Sequence, residues 1–559
     1  GWLRGHGLAD AETLPDLATA ALRAAAAAGA SPALAAELWL DGFAEMTPQE
    51  LDLLAALAPF CARMNLAFCL EAPPAEEPGW LSPWNLVAGT ARAVMTRLAA
   101  LPEAEVAVAL LPRLDAASRF AASPALRHLE AHWCAPAPAA FPGAAEGLRL
   151  VAAEHAEDEA VVAAREILAH VRAGGRFREC AVLVRSLDAH HDAFRRVFTR
   201  YGLPFFLDRR EPLAHHPLAE LTRGAVRTVA LGWEHADWFG TLKSGLAGAD
   251  DDTVDALENE ALARGLKGGD WLRPWTGPAE AHRRRLVAPF ADFQRALGPR
   301  PDGATLAAAL RVLWATLRVE EALGGWWAAP AAAGGQLSEA GHRGAWEQLQ
   351  AWADGLALGF GEEPQPLSAW LPVLETGLAA LTAGVIPPAQ DQVLVGAVDR
   401  ARQPELRLVI LAGFNDGLFP AAPSTRGLLT ERERDALAVE GLALGPALRR
   451  RLGHERYYAY IALTRARARL VITYSRRDAE DRALNPSPYL APLRRLFPAL
   501  AAEDAPGPCA VGDALHPAEL AAAFVADPAL AALLLPVGAE AARWRRLAGY
   551  RRGAALAPA

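Results

Sequence analysis

Lysine is nearly missing from this chain: Lys243 and Lys267 stand alone among 56 basic residues, and the rest are arginine. A phosphate-binding loop of the G-K-[ST] kind needs lysine to neutralise the β- and γ-phosphates while backbone N–H groups cradle them. Leu242 precedes Lys243 and Gly268 follows Lys267, so the sequence contains no such loop. Cysteine is almost as thin. Cys61, Cys69, Cys134, Cys180 and Cys509 are scattered without a C-x-x-C pair. That excludes a disulfide framework or a cysteine-rich metal knuckle and fits reduced thiols in the cytoplasm. No apolar run is long enough to span a bilayer, which sets a membrane protein aside. The net charge of −9 rules out a surface that is basic all round, so contact with nucleic acid would have to come from a local groove. The excess of arginine, alanine and proline reflects a GC-rich coding sequence and carries no functional message.

What is present is globular: 52% hydrophobic and 22% charged over 559 residues, enough for about three or four domains. The chain opens at Gly1 without an initiator Met, so a piece of a longer protein is expected. Residues 1–75 read as helix, strand, helix, strand. Ala18–Ala28 is the first helix, and Glu37–Leu40 a strand delivering Asp41. A helix starts at Pro48 with Thr47 as N-cap and Glu50 closing a capping box, and Asn65–Leu70 is the second strand. Residues 73–147 are Pro- and Ala-rich and receive no chemistry. From Leu148 an α/β rhythm returns: LRLVAA as strand, Glu157–Arg172 as helix, Glu179–Arg185 as strand, a helix closed by Gly202, and Leu203–Leu207 as strand. Residues 222–390 are mostly helical and rich in tryptophan, read as core aromatics rather than base-stacking platforms. His190, His191, His215 and His216 lack a carboxylate at ligand spacing and are read as solvated or capping residues.

The chain is organised around Val393–Ser475. Leu408–Ala412 and Leu470–Tyr474 have the length and β-branched content of buried parallel strands. Glu455–Ala468 between them keeps helical spacing, with Tyr457, Tyr460, Ile461, Thr464 and Ala468 on one face. The first of these strands ends GFNDGLFP (Gly413–Pro420), and the helix contains ERYYAYIALTRA (Glu455–Ala466). These blocks resemble the second RecA-like lobe of superfamily 1 helicases of the UvrD type. The expected fold class is therefore α/β: RecA-like parallel-sheet lobes with a mostly helical insertion. DGF followed by a TPQ segment at Asp41–Gln49, and the PS pair at 486–487, are similar to the AddB family, the second subunit of AddAB helicase–nucleases.

The resemblance implies a division into the remainder of a first lobe (1–147), a second lobe (148–221 and 391–498), a helical insertion (222–390) and a linker towards a nuclease domain (499–559). It assigns Asp41 to Mg²⁺, and Arg185, Glu405 and Arg465 to nucleotide, with Arg465 reaching the γ-phosphate. Gly42 stands where active enzymes carry the water-positioning Glu, so the site is partly dismantled. The block TLHSAKGLEF becomes Ala397–Leu406, where Arg400 and Arg402 replace Ser and Lys as candidate DNA contacts. The family further implies ATP and Mg²⁺ as cofactors and single-stranded DNA and double-strand ends as ligands. It also implies an AddA-like helicase–nuclease subunit as partner, a role in recombinational repair, and an iron–sulfur nuclease domain outside this chain. A RecC-like scaffold and a stand-alone UvrD-like motor are the alternatives; the missing phosphate loop and Gly42 count against the motor. A nuclease built on Asp399 and Asp416 is set aside, because two-metal cleavage of that type needs a lysine downstream and none follows.

Overall fold

The computed structural model describes residues 5, 10–29, 34–70, 78–79, 82–102, 104–111, 118–135, 137–328, 339–361, 363–383, 391–400, 406–422, 429–440, 442, 448–507 and 513–520. The chain divides into two compact units. One comprises Gly1–Leu207 with Pro388–Ala559, the other Asp208–Pro387. The early strands are β1 (Ala35–Leu40), β2 (Cys61–Leu66), β3 (Leu148–Ala153), β4 (Cys180–Val184) and β5 (Phe205–Leu207). Two short strands, β6 (Glu211–Pro212) and β7 (Thr382–Ala383), belong to the second unit. The late strands are β8 (Val393–Ala397), β9 (Leu408–Leu411), β10 (Arg469–Ser475) and β11 (Ala502–Asp504).

Seven strands of the first unit form one sheet in the order β11-β3-β10-β9-β4-β8-β5, every pair parallel. The fold is α/β, as expected for RecA-like lobes. Parallel sheets need helices on both faces, so their strands read as unbroken apolar runs. β4 shows why. Ala181 and Leu183 face one core, with Ala459, Ala462 and Leu463 of the helix Leu448–Leu463. Cys180, Val182 and Val184 face the other, with Val162, Ile167 and Phe194 from the helices Ala156–Arg172 and His191–Arg200. Burial among those side chains pushes the Cys180 thiol up to about 12, so it packs as an inert small hydrophobe.

β1 and β2 form a separate two-stranded parallel sheet. The helix Pro48–Leu57 packs near it, and its start has the expected chemistry: Thr47 accepts from the Glu50 N–H at 3.2 Å, and Glu50 accepts from the Thr47 N–H at 2.6 Å. β2 occupies Cys61–Leu66, four residues before the strand expected at Asn65–Leu70. The expectation followed the apolar run, but this small sheet is half exposed and accepts Arg63 and Asn65 at strand positions.

Two further elements differ from expectation. The helix expected at 455–468 is Leu448–Leu463, and Thr464 folds its hydroxyl back onto the Tyr460 carbonyl at 2.7 Å where the helix stops. Arg465 therefore lies past the helix end. Residues 502–504, within the span read as linker, pair with β3 as an edge strand, where Glu503 takes two hydrogen bonds from Arg149 and Asp504 one from Arg476.

The second unit is helical around one aromatic core. Trp233, Trp238, Trp271, Trp314 and Trp370 are fully buried. An aromatic side chain buries roughly 150–250 Å², so these five are committed to packing and offer no face to a base. No helix among the described residues is long and apolar enough to cross a membrane.

Candidate anion-binding site

Arg465 is positioned by the helix that precedes it. Ala459, Ala462 and Leu463 hold that helix against the seven-stranded sheet. On another face Tyr457 packs with Leu86 and Val87 of the helix Asn85–Ala99, and Tyr460 meets the Trp84 ring edge-on at 4.7 Å. The chain then leaves the helix at Thr464, so Arg465 emerges beside the segment following β2.

Arg119 reaches the same place from an irregular stretch. Its guanidinium donates to the Thr464 carbonyl, one of the acceptors that every helix end leaves open. Glu130, near Arg119, accepts from the Tyr460 hydroxyl at 3.1 Å. Burial first, and then the Arg119 charge, hold Arg465 below the ordinary arginine pKa. Arg119 is lowered by burial and by Arg467, against opposing contributions from Tyr460, Glu130 and Cys69. Arg465 makes no ion pair with any described residue, and its Nε is buried without a hydrogen-bond partner. A buried donor left open costs about 1–3 kcal/mol. Two neighbouring guanidinium groups, one of them without an ion pair to any described residue, can receive an anion.

Arg185 is differently placed. It follows β4 at the carboxyl end of the sheet, and Glu455 takes its Nε at 2.8 and 3.1 Å and its Nη2 at 2.6 Å. Asp399 stands 3.8 Å from Nη1, and the Tyr458 ring lies 4.6 Å from the guanidinium carbon. Burial opposes the charge, but the Glu455 hydrogen bonds and charge outweigh it and keep the Arg185 pKa above the ordinary value. Arg400 lies exposed in the turn after β8, next to Asp399. Arg402 and Glu405 lie outside the described residues.

Asp41 stands exposed at the end of β1, followed by Gly42 at φ +79°. That left-handed backbone suits glycine and strains other residues, so a glutamate does not fit there comfortably. Among the described residues no group of three His, Cys, Asp or Glu side chains could hold a metal ion.

The loop Gly413–Pro420 is fixed by a carboxylate that the sequence did not single out. Glu159, fully buried, accepts from the Gly413 N–H at 2.7 Å and from the hydroxyls of Thr473 and Ser475. Asn415, also buried, donates to the carbonyls of Ser475 and Asn485 at 2.6 and 3.1 Å. Gly413 sits at φ +67°, where a Cβ would come 2.5 Å from the His190 ring. His190 is thus buried against this loop rather than solvated or capping. His216 does cap, accepting from the Leu218 N–H at 3.1 Å, and His215 is solvent-exposed.

Many relatives match this sequence, and three of them illustrate the match over most of the chain. The B subunit of an ATP-dependent helicase/deoxyribonuclease from Moorella thermoacetica is 37% identical over 496 residues, 84% of this chain and 43% of the relative. The proteins of the same name from Desulforudis audaxviator and Symbiobacterium thermophilum are 38% and 35% identical, over 86% and 87% of the chain and 44% and 45% of their own lengths. The family model described as ADDB, N-terminal, matches residues 19–130. Over the span it covers, the chain belongs to the AddB family. It spans under half the length of these relatives.

Within this AddB-family chain, Arg119 is the site residue that sequence reasoning missed. It lies in a stretch without periodicity, and its one signal is position: it falls eleven residues before Glu130, at the edge of the segment that the family model matches. Its relation to Arg465 spans nearly the whole first unit.

Proposed function

We propose that this chain is the helicase-like part of an AddB-type subunit of an ATP-dependent helicase/exonuclease that processes DNA double-strand breaks for recombinational repair. Its lobes guide single-stranded DNA, and an AddA-like partner supplies the motor. Residues 1–147 are the remainder of a first lobe, 148–221 and 391–498 the second, and 222–390 a helical insertion. Nucleotide phosphate is held by Arg465 with Arg119, and DNA by Arg400 and Arg402. Asp41 and Glu405 are further nucleotide-side residues in this reading, with ATP and Mg²⁺ completing the site in the longer protein; Arg185, which the resemblance also assigns to nucleotide, is instead paired with Glu455. An iron–sulfur nuclease domain belongs to the family outside this chain.

The observation that carries the reading is the unpaired Arg465 guanidinium beside Arg119. A cation withdrawn from water and left without a carboxylate is costly to folding and useful only to a ligand. The chain alone has no phosphate loop and should turn over no ATP. The test is binding of a fluorescent ATP analogue to the purified chain and to its Arg465→Met and Arg119→Met variants. Weak binding that both substitutions diminish supports the site. Binding that survives both, or no binding by the wild type, refutes it.

A further inference from the structure

Arg185 and Arg465 are both arginines beside the same helix, yet one is fully engaged and the other is not. Glu455 uses both carboxylate oxygens. Oε1 takes Nε and Nη2 of Arg185, while Oε2 accepts from Arg185 Nε and from the Ala421 N–H at 2.9 Å. The carboxylate is 8% exposed and the guanidinium 20%. Bidentate pairs of this kind fix both partners in orientation. Asp399 flanks the pair at 3.8 Å and is itself 39% exposed. The guanidinium lies just outside the carboxyl end of β4, with β8 and β9 as its neighbours in the sheet. In open α/β sheets that edge is where ligands bind. Arg400 opens to solvent two residues past Val398 in the adjoining turn, so the edge presents one exposed arginine and one withheld arginine.

We propose that Glu455 is a determinant of anion affinity at this edge: it holds the Arg185 guanidinium out of reach, so that a nucleic-acid backbone engages Arg185 only by displacing Glu455. The proposal rests on the reading that single-stranded DNA follows the second lobe, and it adds a regulated contact to that path. A phosphate that takes Arg185 must replace three hydrogen bonds, and it then frees Glu455 from β4 while leaving it bonded to Ala421. Asp399 acts in the same direction as Glu455, because its charge lies beside the phosphate's position. The wild-type edge therefore binds weakly with Arg185 silent. Neutralising Glu455 keeps an acceptor for Ala421 and removes the charge that retains Arg185.

The experiment is fluorescence anisotropy of a labelled oligothymidylate with the full chain, titrated at several salt concentrations. Wild type, Glu455→Gln and the double variant Glu455→Gln/Arg185→Ala are compared, with thermal melting of each as a fold check. One newly engaged phosphate should steepen the dependence of log affinity on log salt by about 0.7 and raise affinity about fivefold at 0.1 M salt. The gain must appear in Glu455→Gln and vanish in the double variant. If Glu455→Gln does not fold, Asp399→Asn at the exposed turn gives the second measurement. Its gain must likewise vanish when Arg185→Ala is added, and a gain that persists means general electrostatics and overturns the proposal. Wild-type binding with an unchanged Glu455→Gln slope overturns the proposal alone. No binding by wild type or by Glu455→Gln overturns it together with the DNA reading.

Discussion

Replacing Arg465 by methionine should make the protein more stable and less responsive to polyphosphate. Methionine keeps the length and apolar stem of arginine while removing the charge and every N–H donor. In the wild type the Arg465 Nε is buried without a partner. A donor left in that state costs about 1–3 kcal/mol, and the neighbouring Arg119 charge adds repulsion to it. Against this stand the few dispersion contacts that a guanidinium makes beyond its stem. The net expectation is a gain of about 1–2 kcal/mol, which is a midpoint rise of about 1–3 °C in a unit of about 380 residues. The assay is thermal unfolding in buffer free of phosphate and sulfate, followed by near-UV circular dichroism. Tripolyphosphate should then raise the wild-type midpoint, by an amount equivalent to about 2.7 kcal/mol at a hundredfold excess over Kd. It should leave the variant unmoved. A midpoint that falls in Arg465→Met by the margin of a core deletion would mean that the arginine makes a structural pair, and the reasoning from its unpaired Nε would be wrong.

Two more expectations concern buried titratable groups. His216 is held at about 4 by burial and by His342, below the ordinary histidine value of 6.5, so the unfolded state binds the proton first. Its contribution is full above pH 6.5 and declines by about 3 kcal/mol as pH falls to 4, a loss that His216→Asn should flatten in urea unfolding at pH 7 and pH 4.5. Glu159→Ala strands the Gly413 N–H and the two hydroxyls beside it, and should cost about 3–5 kcal/mol in chemical denaturation, whereas a cost under 1 kcal/mol would show that water replaces the carboxylate without penalty.

The sequence revealed what local pattern determines. β3, β4, β9 and β10 were legible because strands buried on both faces cannot afford polar interruptions. The helix at Pro48 was legible because its capping box lies within four residues. The tryptophans of the helical unit declared a core by their number and spacing. What stayed hidden depends on distant partners. Nothing near Arg185 in sequence points to Glu455, 270 residues away, so its engagement could not be read. Arg119 shows no period, and its importance comes from Thr464 and Arg465 arriving next to it. The helix before Arg465 was placed too far along because the RARA that follows Thr464 is composed of good helix formers. The chain instead turns there to enter β10, a tertiary demand that overrides propensity. β2 was misplaced for a related reason: its sheet is half exposed, and its polar residues hid the strand.

The short ribbon of β6 and β7 bears on how this chain folds. β5 and β8 are neighbours in the seven-stranded sheet, yet the helical unit separates them in sequence. Pairing them directly would close a loop of about 185 residues. The antiparallel pairing of Glu211 with Ala383 and of Pro212 with Thr382, extended by the Leu213 N–H to the Leu381 carbonyl at 2.9 Å, joins the two ends of the helical unit first. Once that stitch forms, only about 15 residues of chain remain between β5 and β8, and the closure entropy falls by roughly 2 kcal/mol. The insertion therefore favours an order of assembly: helices and ribbon first, then the completed sheet. A break in the ribbon would slow the refolding of the seven-stranded sheet.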